Sequence, residues 1–279
     1  MKWGIVVDSG SDLKEKDFTD IGVDFTVAPL KIIAEDKEFV DDDNIDVAQL
    51  IKGISDNKKA SQTACPSPGD FVNGFSKSDN VLCFTLTGGL SGTFNSARMA
   101  KDLVLNDNPS KNIFVCDTKS VGGHLVLMME KALELIENNL SFNEVVSELE
   151  KYNKEIDIIF TMGSYENLIK TGRMSNLAGT IAKTLNIRLI CSNTEEGKIE
   201  VVKKVRGIKS TYNKMVEMMA NAKDLNDKKI RIHHCNNEES ALYIKEKILA
   251  EFPNANITIF KCKGLTTFYA MDGGIIINY

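Results

Sequence analysis

Three histidines in 279 residues leave few candidates for a general base. The six cysteines, Cys65, Cys83, Cys116, Cys191, Cys235 and Cys262, include no CxxC pair. That excludes a zinc ribbon or a dithiol redox centre, and several of them sit in apolar, strand-like runs, as buried free thiols do. No stretch approaches the roughly 20 apolar residues needed to cross a bilayer, and the N-terminus reads as a strand rather than a signal segment. A cytoplasmic location is the expectation. Basic residues show no excess: the net charge is -5 and lysines are interspersed with Asp and Glu, so no nucleic-acid partner is expected. With five prolines there is no Pro/Gly-rich linker, no repeat and no low-complexity tract.

Two clusters with the look of metal sites are weak as such. His233-His234-Cys235 lies on a predicted strand, where neighbours point to opposite faces, and no second ligand pair stands nearby. Asp41-Asp42-Asp43 lacks EF-hand spacing and precedes a predicted helix from Asp46, where negative charge favours the dipole. No metal and no cofactor are expected.

What the chain has is a concentration of hydroxyls and glycines where a strand should end. Val81 to Thr85 is apolar and bounded by turn residues, and Leu86-Thr87-Gly88-Gly89-Leu90-Ser91-Gly92-Thr93 follows it, with helical composition from Phe94 onward. Ser91-Gly92-Thr93 is predicted to open a helix. Beyond a strand's carboxyl end, at a helix N-terminus, a small acidic group is a favoured ligand. A Walker loop is excluded because Gly92 is followed by Thr93 rather than lysine, and a nucleophile elbow is poorly matched because Ser91 is followed by Gly92 and Thr93. A capped helix after an ordinary tight turn explains the same residues, and the loop alone does not decide between these readings.

Alternating strands and helices run along the chain. Strands are predicted at Trp3 to Val7, Phe25 to Leu30, Asn112 to Cys116, Ile156 to Thr161, Ile187 to Cys191, Lys229 to His233 and Ile257 to Phe260. Helices are predicted at Gly123 to Asn138, Phe142 to Tyr152, Tyr212 to Ala222 and Glu238 to Phe252. Two hairpins are expected, one within Lys31 to Val40 around Glu35-Asp36-Lys37, the other turning at Thr194 to Lys198. Asp8 and Ser9 end the first strand and would face the same crevice as the Thr87 loop. His124, at a predicted helix start, is a candidate rim or capping residue.

Four motifs in order carry a resemblance. Asp8-Ser9-Gly10-Ser11-Asp12-Leu13, Thr63-Ala64-Cys65-Pro66-Ser67-Pro68-Gly69, Thr87 to Ala97, and Lys170-Thr171-Gly172-Arg173-Met174-Ser175 are similar to the DSxxDL, TSxPSPG, SSxLSGTxxSA and KxGRIS segments of the DegV family. These are the fatty-acid-binding proteins also called FakB. The resemblance spans nearly the whole chain and is weakest after residue 260.

The resemblance implies two α/β domains, residues 1–156 with a mainly parallel sheet and residues 157–279 with a mixed sheet, and a ligand site between them. It implies a long-chain fatty acid whose carboxylate meets Thr63, Thr87, Gly88, Ser91, Gly92 and Thr93 while the tail is buried. A tail of roughly 15 methylenes at about 0.8 kcal/mol each would supply on the order of 12 kcal/mol before binding costs, so the tail should dominate affinity. Arg173 and Arg206 would face a phosphate or a partner fatty acid kinase, since a guanidinium fork suits an oxyanion. The carrier would not itself be a catalyst, and its expected partners include a membrane surface, in transient contact. Two departures stand out: Gly88 replaces a serine, and Tyr269, in Tyr269-Ala270-Met271-Asp272-Gly273-Gly274, stands where the family has the histidine of HxGPG. A tyrosine hydroxyl hydrogen-bonds a carboxylate but carries no positive charge at neutral pH. The rival readings are a hydrolase or transferase using Ser91 or Asp8, and a sensor of another amphipathic carboxylate.

Overall fold

The computed structural model describes residues 2–19, 22–34, 37–56, 61–174 and 186–279. Among the sequence expectations, Glu35 and Asp36 of the first hairpin and Ser175 of the fourth motif lie outside these residues. The chain forms two α/β domains, one built on a parallel sheet and one on a mixed sheet.

The first sheet has the order β2-β1-β6-β7, from β1 (Trp3–Asp8), β2 (Asp24–Ala28), β6 (Asn80–Thr85) and β7 (Asn112–Asp117), all parallel. Both faces are covered, which is why β6 is buried at every position and reads as a continuous apolar run. Alternation along the strands divides the core. Ile5, Val7, Leu82 and Phe84 pack against α4 (Gly123–Glu137) and α5 (Phe142–Glu155), whereas Val6, Val81 and Cys83 pack against α2 (Pro68–Ser76) and α3 (Thr93–Asp107).

No helix was expected at α2, yet its start is well specified. Ser67 is its N-cap, Ser67 and Asp70 form a capping box, and Pro68 occupies the first turn. The PSPG segment is therefore a helix start rather than only a turn. Between β2 and α2 a small antiparallel sheet, order β4-β3-β5, comprises β3 (Lys31–Ala34), β4 (Lys37–Val40) and β5 (Gln62–Ala64), with α1 (Val47–Asp56) in the connection. The pairing of β3 with β4 is the first expected hairpin.

The second sheet has the order β10-β9-β8-β13-β11-β12. Its strands are β8 (Ile158–Thr161), β9 (Ile187–Asn193), β10 (Ile199–Arg206), β11 (Lys229–His234), β12 (Asn256–Lys261) and β13 (Ile275–Asn278). Only β11 and β12 pair in parallel, and β9 and β10 form the second expected hairpin. β13 was not expected: its four residues arrive after Gly273-Gly274 without periodicity, yet they fill the sheet's centre and are all buried.

One face of this sheet presents Ile159, Ile190, Ile230, Ile232, Ile275 and Ile277 to α7 (Ile208–Ala222) and α8 (Glu238–Glu251). The opposite face presents Ile158, Phe160, Leu189, Cys191 and Ile276 towards α6 (Glu166–Lys170) and α9 (Gly264–Ala270). Among the described residues no helix is long and apolar enough to cross a membrane.

Candidate functional site

Among the described residues, the second face of the mixed sheet is not covered by a full layer of helices. It borders a narrow pocket, open at its mouth, with about 100 Å³ of space for the centres of water-sized spheres. Ile158, Phe160, Met162, Leu168, Ile199 and Ile276 from the second domain, with Leu30, Leu86, Leu90 and Val121 from the first, make its wall apolar. Thr63, Thr87, Ser91, Ser120, Arg173 and Tyr269 bring polar groups to it, and Lys119, Asn193 and Lys198 join them. Of the residues expected from sequence, the structure brings Thr63, Thr87, Ser91, Arg173 and Tyr269 into one lining.

Thr63 on β5 and Tyr269 on α9 meet with 2.9 Å between their oxygens. One hydroxyl hydrogen is used in that contact and the other is left over. A tyrosine at position 269 is thus joined directly to the threonine of the second motif.

The Thr87 loop is satisfied internally. The Gly88 N–H donates to Asp117 Oδ1 at 3.0 Å, the Gly89 N–H to Thr87 Oγ1 at 3.1 Å, and the Leu90 and Ser91 N–H groups to the Thr87 carbonyl at 3.3 and 3.2 Å. Thr87 donates its own hydroxyl hydrogen to the Gly197 carbonyl at 2.8 Å. The β9–β10 turn is therefore docked on this loop, and Lys119 reinforces it by donating to the Glu195 carbonyl at 3.2 Å. The approach is close enough that a Cβ on Gly89 would lie 2.3 Å from the Glu196 oxygen. At Gly88 a Cβ would lie 2.9 Å from Asp117 Oδ2, so a serine there would crowd the carboxylate that holds the loop.

Ser91 Oγ lies 2.8 Å from Thr93 Oγ1 and accepts from the Thr93 N–H at 3.3 Å. Gly92 is the N-cap of α3, and Thr93 is fully buried behind Ser91; neither lines the pocket. Arg173 donates from Nε to the Leu90 carbonyl at 3.3 Å and from Nη1 to the Thr171 carbonyl at 2.8 Å. Its Nη2 has no partner among the described residues and belongs to a side chain of the pocket lining.

The remaining expected residues lie elsewhere. Asp8 is fully buried behind the wall, where its two oxygens accept from the Gly10 N–H at 2.9 Å and the Leu86 N–H at 2.6 Å. Burial pushes its carboxyl up to about 7, against the lowering effect of those two donors. Ser9 Oγ accepts from the Leu30 N–H at 3.0 Å. His124, 2 % exposed near the start of α4, pairs through Nε2 with Asn153 Oδ1 at 2.8 Å, and burial pushes its imidazole down to about 4. Arg206 ends β10 on the exposed surface.

Acids of the first motif and of the aspartate cluster act as tethers. Asp12 accepts from the Lys263 N–H at 2.8 Å, from the Thr266 hydroxyl, and pairs with His233 Nδ1 at 2.7 Å. Asp41 accepts from the Gly264 and Leu265 N–H groups, both at 2.9 Å, and burial pushes its carboxyl up to about 6. Together they anchor α9 to the first domain. Histidines offer no base to Ser91 or Asp8: His124 takes Asn153, His233 takes Asp12, and His234 Nδ1 accepts from the Asn237 N–H at 3.1 Å. A nucleophile activated by histidine has no counterpart in this geometry.

Sequence reading missed Ser120, Lys119, Asn193, Gly197 and the apolar lining of β8 and β13. The lining is encoded in strand alternation, but which of two buried faces carries a pocket is decided by tertiary packing. Ser120 sits three residues beyond β7, where a strand-end serine was a readable signal.

A family model described as an uncharacterised protein of the DegV family matches residues 2–277. A DegV domain-containing protein of Streptococcus pneumoniae is 36% identical over 279 residues, covering 100% of this chain and 99% of the relative. Among solved structures, the Streptococcus pneumoniae Fatty Acid Kinase (Fak) B3 protein loaded with linoleic acid is similar with a TM-score of 0.95 and 36% identity, over 100% of this chain and 99% of the other. A DegV family protein from Eubacterium eligens loaded with heptadecanoic acid has a TM-score of 0.92 and 30% identity, over 99% of this chain and 98% of the other.

Proposed function

Because this chain belongs to the DegV family, we propose that it is a carrier that binds a long-chain fatty acid and presents it to a separate fatty acid kinase. One observation supports this most: a pocket with a long apolar wall on one sheet face and a mouth of hydroxyls beside Arg173. An apolar tail and an acidic head match those two surfaces. Similar proteins carry linoleic and heptadecanoic acids.

In this reading the carboxylate lies near Thr63, Tyr269, Ser91 and Arg173, and the tail runs along Ile158, Phe160 and Ile276. Gly88, Gly92, Thr93, Asp8 and Ser9 shape the loops behind it. Arg173 and the exposed Arg206 face the kinase, and residues 1–156 and 157–279 are the two domains. The carrier works in the cytoplasm, with transient contact at a membrane surface during exchange of its load. Tyr269 in place of a histidine leaves Arg173, Lys119 and Lys198 as the cationic side chains of the described lining that can offset the negative head group.

Mass spectrometry of protein purified from a bacterial host tests the lipid claim. The expected result is a co-purified long-chain acid that exchanges with added palmitate; no acid and no uptake would refute it. Incubation of loaded protein with a fatty acid kinase catalytic subunit and ATP tests the second step, with acyl phosphate as the expected product.

A further inference from the structure

A hydrogen count across the mouth separates hydroxyls with a proton to give from those without one. Each hydroxyl has one hydrogen and two lone pairs. Thr87 gives its hydrogen to the Gly197 carbonyl, and Thr266 gives its own to the Asp12 carboxylate. The backbone N–H groups of Gly88, Gly89, Leu90 and Ser91 are all engaged. A carboxylate arriving at Thr87 itself therefore finds no free donor unless the docked β9–β10 turn lets go, whereas further along the loop the Ser91–Thr93 hydroxyl pair keeps one hydrogen to give.

Ser120 is different. It lines the pocket and is 3 % exposed, and its Oγ receives the Nδ2–H of the fully buried Asn278 at 3.0 Å. An oxygen that accepts from an amide keeps its own hydrogen, and among the described residues nothing takes it. The Ser120 carbonyl accepts the Thr87 N–H at 2.9 Å, so this serine stands beside the Thr87 loop, where its partner Asn278 pairs in register with Ile158 of the pocket wall.

We infer that Ser120 donates its hydroxyl hydrogen to the carboxylate of the bound fatty acid, with Asn278 as the positioning residue that aims it. Thr87 then serves to hold the β9–β10 turn in place. This rests on the reading that the pocket takes a fatty acid.

The test compares palmitate with hexadecan-1-ol, which has the same tail and no charge, on delipidated wild type, Ser120→Ala and Thr87→Val. Ser120→Ala is expected to weaken palmitate binding about tenfold or more, the scale of a hydrogen bond to a charged group, and to change alcohol binding less than about twofold. Thr87→Val is expected to shift both ligands alike. An unchanged palmitate affinity in Ser120→Ala, or equal losses for acid and alcohol, would overturn the inference. Wild type that binds neither ligand would instead refute the fatty-acid reading itself. Should removal of the Asn278 acceptor unfold Ser120→Ala, Ser120→Cys keeps an acceptor with a weaker donor and is expected to show the same selective loss for the acid.

Discussion

Ile276 and Ile277 are neighbours on the central strand β13, 2 % and 0 % exposed, and they point to opposite faces of the mixed sheet. Ile277 packs under α7 and α8, whereas Ile276 lines the pocket. Truncation to alanine removes three carbons from either. At Ile277 this leaves a cavity in a filled core and is expected to cost about 2 to 5 kcal/mol of stability. At Ile276 part of the surroundings is already open, so the cost in delipidated protein falls at or below the bottom of that range.

Ligand affinity should reverse the order. An acyl tail against Ile276 loses contact over about 40 Å², worth about 1 kcal/mol at roughly 25 cal/mol per Å², or about a fivefold rise in Kd. Ile277→Ala leaves the tail's contacts intact and should change Kd by less than twofold. Displacement of a fluorescent fatty acid measures the affinities, and urea unfolding of delipidated protein measures the stabilities. Equal effects of both substitutions on Kd, or a larger one at Ile277, would refute the placement of the tail on this face.

Asp8 titrates with a definite sign. Its carboxyl is raised from an ordinary 3.8 to about 7 in the folded protein, so the native state holds a proton that the unfolded chain releases. Its contribution to stability is full below about pH 4 and is lost as pH rises to about 7, by at most about 4 kcal/mol. Asp8→Asn should flatten that slope in urea midpoints measured from pH 4 to 8, leaving the smaller decline from Asp41; a profile parallel to wild type would contradict this. At Gly197, φ is +73° and an added Cβ would lie 2.1 Å from Thr87 Oγ1, so Gly197→Ala combines backbone strain with loss of the Thr87 bond. The expectation is about 1 to 3 kcal/mol of destabilisation with faster amide exchange at residues 194–198, and unchanged exchange there would count against the docked turn.

The architecture was readable wherever local pattern and burial agree. β6 is apolar at both faces because both are covered, and the β9–β10 hairpin announces itself by Gly197 between two apolar runs. β13 was not readable, since four residues after two glycines carry no period and acquire their meaning only from β8 and β11 on either side. The start of α2 was present as a capping box and was obscured by its two prolines. At the site, residue identity was legible and availability was not. Thr87 looks like a donor in sequence, and the partner that takes its hydrogen is Gly197, 110 residues away. Asp8 and Ser9 were placed facing the crevice because they end a strand beside it; the structure turns both inward, onto the backbone of Leu86 and Leu30.

Neutral donors at the mouth have a consequence for a carrier. In the proposed binding mode, hydroxyls of Thr63, Tyr269 and Ser91 would orient a carboxylate, while Arg173 already donates to the Leu90 and Thr171 carbonyls and Lys119 to the Glu195 carbonyl. In that mode a buried tail would supply most of the affinity, on the order of 12 kcal/mol before costs. Such a division suits a protein whose cargo is to be modified at the head without being released at the tail. Each added negative charge on the head group alters a small share of the binding energy, and the apolar wall keeps its grip. A histidine at position 269 would strengthen attraction to a carboxylate when protonated; tyrosine forgoes that pH-dependent term. Binding of the acid should therefore follow the ionisation of the ligand and not that of residue 269.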